Sequence, residues 1–210
     1  MEDKKKTIVI IDGFNLYHAI ADLRKPYLKW LDLWALSSAL AHPTRDELVG
    51  VFYCSAYATW LPDKCRRHRL YVSALKATKV TPILGQFKEK RLSCKSCRTK
   101  WIGHEEKESD VNLAIHLVHM AHNGTYDKAI VITADTDITP AITMVRETFP
   151  WKEVFVAIPK ARKRYSQALQ HSATGTITIQ DSHFERNLLP HEVSDGHRVI
   201  IRPPEYAPPA

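Results

Sequence analysis

The chain has 210 residues, 44% of them hydrophobic, enough for one packed domain with at most an insert and a tail. Thirty Lys and Arg against 23 Asp and Glu give a formal charge of +7, which suggests a polyanionic partner. The apolar runs are too short to span a bilayer and residues 1–6 lead straight into a strand, so no membrane segment or secretory leader is expected and the setting is read as cytoplasmic.

Residues 7–11, Thr-Ile-Val-Ile-Ile, are β-branched throughout and predict a buried, parallel-type strand. A short helix follows over 15–23, and apolar residues at helical spacing predict a second helix over 28–41. Residues 48–56 read as a strand, and Pro62 opens a helix running to about residue 77. Residues 80–87 read as a strand, with Gly85 marking a bulge or a close approach. The basic stretch 88–102 carries Cys94 and Cys97 and reads as a hairpin or knuckle. A helix over 104–121 stops at Asn123-Gly124, and residues 127–133 form the next strand. A helix over 138–148, a strand over 153–158, a basic helix over 162–171 and a last strand over 176–179 complete the pattern. The Pro-rich residues 186–210 read as a disordered tail, leaving 1–185 as the domain. Strands alternating with helices imply an α/β sandwich of three layers around a mostly parallel sheet.

Two of these strands end in acid. The first runs into Asp12-Gly13-Phe14-Asn15, the second into Ala134-Asp135-Thr136-Asp137. Ligands of open α/β sheets bind beyond the carboxyl ends of the strands, where both groups fall. Asp110 supplies a third side, since Leu113, Ala114 and Leu117 follow it at i+3, i+4 and i+7 and put it on a core-facing helical stripe. Glu106 is read one turn earlier on the same face, beside Lys107. A buried carboxylate is costly unless paired or metal-bound. Asp12, Asp110, Asp135 and Asp137 would suit Mg²⁺ or Mn²⁺, hard ions that prefer oxygen ligands, with Asn15 orienting a carboxylate or a water.

In order and spacing, 10–16, 105–114 and 126–137 resemble the NYN domain family, LabA-like proteins with a PIN-like nuclease fold. The resemblance covers roughly residues 6–159. It implies a Mg²⁺- or Mn²⁺-dependent endoribonuclease with Asp12, Asp110, Asp135 and Asp137 as the acidic set and Asn15 beside them. Thr133-Ala134 departs from the family's usual Ser-Gly, and a Cβ at Ala134 restricts a turn that glycine would relax.

Cys94-x-x-Cys97 is half of a zinc knuckle, for which a reducing compartment is the natural setting. Cys65 and His68, three apart on one helix, would complete a Cys₃His structural zinc site, with His104 the competing ligand. Arg91, Lys95, Arg98 and Lys100 with Trp101 on the knuckle, Lys107, and the second patch Lys160, Arg162, Lys163 and Arg164 are candidate RNA contacts. Self-association and a regulatory partner protein stay open. Asp135-Thr136-Asp137-Ile138-Thr139 also fits the Asp-x-Asp-x-Thr motif of haloacid-dehalogenase phosphatases, but only 73 residues follow Asp137, too few for that core. The remaining alternative is a non-catalytic RNA-binding or regulatory module, which would not need all four acids.

Overall fold

Ile8, Val9, Ile10 and Ile11 are all fully buried, so both faces of the first strand must be covered. The computed structural model describes residues 3–209, apart from the side chain of Tyr165, and covers them with helices on both sides. Met1, Glu2 and Ala210, at the ends of the expected domain and tail, lie outside the described residues. Strand β1 (Lys5–Asp12) is followed by α1 (Gly13–Asp22), α2 (Leu33–Leu40), β2 (Asp46–Ser55), α3 (Pro62–Ala77) and β3 (Thr81–Leu84). A hairpin of β4 (Gln86–Ser93) and β5 (Lys100–Lys107) leads into α4 (Ser109–His122). Then come β6 (Lys128–Ile132), α5 (Thr139–Thr148), β7 (Glu153–Pro159), α6 (Gln167–Ser172), β8 (Gly175–Ile179) and α7 (Asp181–Arg186).

The central sheet has six strands in the order β3-β2-β1-β6-β7-β8, every pair parallel. Its core is split by the pleat. Ile8, Ile10, Ala129 and Val131 face α4 and α5 residues such as Leu113, Leu117 and Ile142. Val9, Ile11, Ile130 and Ile132 face Leu16, Leu36, Leu75 and Phe184 on the other side. Each such side chain removed from water contributes at most about 1.5–3 kcal/mol. The expected α/β sandwich around a parallel sheet is therefore the observed fold. Among the described residues, no helix is long and apolar enough to cross a membrane.

The strand order reverses between β1 and β6. Chain that leaves β1 moves outward through β2 and β3, and chain that leaves β6 moves outward through β7 and β8. The carboxyl ends of β1 and β6 flank that switch point, where a crevice opens in such sheets.

Several local expectations change. The stretch 28–41 is divided: Pro26–Trp30 is a 3₁₀ turn, and Asp32 caps α2 by accepting from the Ala35 N–H at 2.9 Å. The strand expected over 80–87 breaks at Gly85, where a Cβ would lie 2.6 Å from the Lys107 carbonyl oxygen. The helix expected from 104 starts at Ser109. Residues 104–107 are paired across the hairpin with 86–89, and Glu108 turns the chain with φ 81°. Basic residues 160–165 form a 3₁₀ turn ahead of α6.

The C-terminal stretch expected to be disordered is ordered. Strands β9 (Glu192–Ser194) and β10 (Val199–Ile201) pair antiparallel, and Pro204–Tyr206 forms a 3₁₀ turn. Val193 and Ile200 pack with Trp30, Ala74 and Leu189 in a small core of their own. The Trp30 indole N–H donates to the Pro190 carbonyl at 2.8 Å, a tie that local composition does not reveal.

Candidate active site

Asp12 ends β1 and caps α1, its Oδ1 accepting from the Asn15 N–H at 2.9 Å. Gly13 makes this turn possible. A Cβ there would stand 2.6 Å from both the Cys54 carbonyl oxygen and the Tyr53 ring, so α1 begins pressed against the end of β2. The other Asp12 oxygen accepts from the Thr133 hydroxyl at 2.8 Å, and Asn15 Oδ1 accepts from the Ala134 N–H at 3.1 Å. These bonds fasten the end of β1 to the chain leaving β6. Thr133 Oγ1 in turn accepts from the Asp135 N–H at 3.0 Å, and Asp135 Oδ1 accepts from the Asp137 N–H at 3.0 Å. The threonine does what a serine hydroxyl would do there. Ala134 carries no positive φ, so its Cβ is accommodated without left-handed strain.

Asp110 enters from the first turn of α4, half-buried. Burial first, then the charges of Asp12, Asp135, Glu106 and Asp137, push its carboxyl up to about 6. Asp12 is raised by burial, opposed by its two hydrogen bonds, and raised again by Asp135 and Glu106. Thus Asp12, Asp110 and Asp135 share one electrostatic neighbourhood, with Asp137 exposed at its rim. Glu106 is not a helical neighbour of Asp110. It lies on β5 and accepts from the N–H of Ser109, the first residue of α4, at 3.0 Å. The Ser109 hydroxyl is buried without a hydrogen-bond partner among the described residues. Cys54 adjoins the acids, and burial with the Asp12 and Asp110 charges pushes its thiol up to about 12, far from a nucleophilic thiolate.

Among the described residues, no three His, Cys, Asp or Glu side chains are arranged to hold a metal as they stand. For the acids, the chemistry of the donor set still fits a hard cation. It is all oxygen and its charges destabilise one another. For the expected zinc site the fit fails. Cys94 and Cys97 sit at the tip of the β4–β5 hairpin, whose eight-residue arms reach about 26 Å from their root. Cys65 is buried on α3, its Sγ accepting from Arg69 Nε at 3.4 Å. His68 Nε2 faces the Tyr53 hydroxyl at 3.3 Å, and burial lowers the ring to about 4. His104, the competing ligand, stacks on Trp60 with ring centroids 3.8 Å apart. Helical spacing placed Cys65 and His68 on one helix, but the long hairpin carries the other pair away from them.

The basic candidates divide into two groups. Arg91, Lys95, Arg98 and Lys100 are exposed on the hairpin with Trp101. Lys107, at its base, pairs with Glu105 at 3.0 Å. In the second patch Lys160 is exposed, Lys163 donates to Thr178 Oγ1 at 3.0 Å and Arg164 is exposed but partnered. Arg162 is tied to Asp22 at 2.7 Å, which fixes the 160–165 turn against α1. Sequence reasoning missed Ser166, whose hydroxyl donates to the Ala134 carbonyl at 3.0 Å and braces the acidic turn from the far side. No local pattern announces that bond.

The NYN domain family matches residues 6–180. A 6-hydroxy-3-succinoylpyridine 3-monooxygenase from Pseudomonas putida (strain DSM 28022 / S16) is 31% identical over 104 residues, 50% of this chain and 30% of that protein. The chain therefore spans less than a third of that relative's length. The crystal structure of a protein of unknown function from Vibrio parahaemolyticus RIMD 2210633 aligns with a TM-score of 0.57 at 19% identity, over 90% of this chain and 99% of that one, a likeness of fold. With the match running from β1 through β8 and the acids at the sheet's switch point, the chain belongs to the NYN domain family, whose fold is of nuclease type.

Proposed function

We propose that the protein is a divalent-cation-dependent endoribonuclease that hydrolyses RNA phosphodiesters at the crevice between β1 and β6. One observation carries the reading: the Asp12, Asp110 and Asp135 carboxylates converge there, where burial first and then their mutual charge raise the Asp110 carboxyl to about 6. Such a cluster destabilises the fold unless a cation neutralises it, and functional sites are where this cost is tolerated. Asp12, Asp110, Asp135 and Asp137 would hold Mg²⁺ or Mn²⁺. When bound, the ion acidifies a water and neutralises charge developing on the phosphate and its leaving oxygen.

The remaining work belongs to the chain. Thr133 and the Asn15 N–H hold both oxygens of Asp12, so that carboxylate presents one fixed orientation. Asn15 Oδ1 accepts from the Ala134 N–H and Ser166 Oγ donates to the Ala134 carbonyl, which fixes the backbone on both sides of Ala134 and thereby aims Asp135. Exposed cations on the hairpin and at Lys160 would draw the RNA backbone in and make binding salt-dependent. In-line attack by water would leave a 3′-hydroxyl and a 5′-phosphate. A cytoplasmic setting is consistent with four free thiols.

The test is an RNA and single-stranded DNA panel incubated with Mg²⁺, Mn²⁺ or EDTA. The wild type is expected to cut RNA internally with either cation, and Asp12→Asn and Asp110→Asn to bind RNA without cutting it. RNA that binds tightly yet stays whole with both cations would favour the non-catalytic module instead.

A further inference from the structure

Beside the acids lies a cavity of about 520 Å³, walled by α1, the 26–30 turn, the end of β2, α3 and the 204–206 turn. We propose that this cavity receives one nucleobase of an RNA strand whose phosphodiester lies at the acidic crevice. The proposal rests on the nuclease reading above and adds a base-recognition site to it.

Position is the first argument. Gly13 lines the cavity and is joined directly to Asp12. The Asp12 charge also reaches the cavity floor, where it adds to the burial that pushes the Tyr53 hydroxyl up to about 12. A strand held at Asp12 would thus carry a neighbouring base to the mouth. Wall chemistry is the second. Tyr17 and Tyr206 line the cavity, Tyr17 exposed with Lys29 over one face of its ring and Tyr206 half-buried, and their remaining aromatic surface is of the kind on which a base stacks. Deeper, the Tyr53 hydroxyl and the Ser55 hydroxyl lie 3.3 and 3.5 Å from His68 Nε2. That is a small group of donors and acceptors at the end of an aromatic slot, which is how enzymes read an extruded base. Charge is the third. Lys29 stands over the Tyr17 ring at 4.8 Å and Lys64 lines the same cavity, so cations meet the phosphates flanking the base. The volume falls in the range of sites for small organic groups, roughly 300–1,000 Å³.

One wall lies outside the NYN match. Residues 204–206 fall beyond position 180, and Arg67 holds them through Glu205 at 3.0 Å. The ordered C-terminal segment therefore closes the cavity.

The test titrates the intact protein, in EDTA, with the four nucleoside 5′-monophosphates and with ribose 5-phosphate, followed by NMR. At least one nucleotide should shift resonances of Tyr53, His68 and Tyr206, and ribose 5-phosphate should bind at least about 5-fold more weakly, since stacking one base is worth roughly 1–3 kcal/mol. Tyr17→Ala and Tyr206→Ala, both outside the main core, should weaken that nucleotide roughly 5- to 100-fold. Equal binding of ribose 5-phosphate, unchanged affinity in both variants, or no shift of cavity resonances up to about 10 mM would overturn the proposal. Because the readout needs no cleavage, a protein that binds the base but never cuts RNA would reject the nuclease reading and leave the base site standing.

Discussion

Replacing Asp110 with Asn should make the cation-free protein more stable. Burial and four neighbouring carboxylates raise the Asp110 carboxyl from 3.8 to about 6. A rise of about two pH units corresponds to roughly 3 kcal/mol at full strength. Asp110 is only partly buried, so solvent screening brings the figure to about 1–2 kcal/mol. The sign follows from proton linkage. A carboxyl with a raised folded value gives its full stability below the unfolded value of 3.8 and loses it as pH climbs through about 6. In EDTA, the wild type should therefore lose about 1–2 kcal/mol relative to Asp110→Asn across that window. Urea unfolding at several pH values, followed by circular dichroism, measures both proteins directly. Adding Mg²⁺ should raise the wild-type midpoint and leave the variant nearly unmoved. A variant less stable than wild type near neutral pH in EDTA would refute the reasoning, as would a stability difference that does not change between acid and neutral pH.

Other consequences follow from the same geometry. Lys128 pairs with Asp46 at 2.6 Å where β6 and β2 begin, both side chains buried, so Lys128→Met should cost about 3–5 kcal/mol in urea unfolding by stranding a charge. A loss under 1 kcal/mol would mean the pair is effectively solvated. Gly13→Ala puts a Cβ against the Cys54 carbonyl and the Tyr53 ring, and should cost about 1–3 kcal/mol and slow cleavage by displacing Asp12. His68, lowered by burial to about 4, should stay neutral near physiological pH and contribute stability above 6.5 that is lost as pH falls towards 4. An NMR titration midpoint near 6.5 would refute this.

The positions of the candidate acids were legible because they are attached to the most regular parts of the chain. β1 and β6 announce themselves by continuous β-branched residues, and buried parallel strands have few other readings. Helix α3 matched its expected span because Pro62 marks its start. Illegible were features set by long-range pairing. His104, Glu105, Glu106 and Lys107 have no strand propensity to speak of, yet the register with 86–89 makes them a strand. Glu106 thereby changes from a helical neighbour of Asp110 into a strand residue that accepts from the first N–H of α4. The Pro-rich C-terminus looked incapable of structure because its partner, Trp30, lies 160 residues away in sequence. The zinc expectation failed for the same reason: spacing along one helix says nothing about where a distant hairpin tip will point.

The central claim is that converging carboxylates make this crevice a cation-dependent ribonuclease centre. Its most direct test is cleavage of a labelled RNA by purified wild type and Asp12→Asn, in Mn²⁺ and in EDTA. Asn can still cap α1, so the fold should survive the change. Wild type should cut the RNA internally in Mn²⁺ alone, and the variant under neither condition. Cleavage that persists in EDTA, or an Asp12→Asn protein as active as wild type, would contradict it.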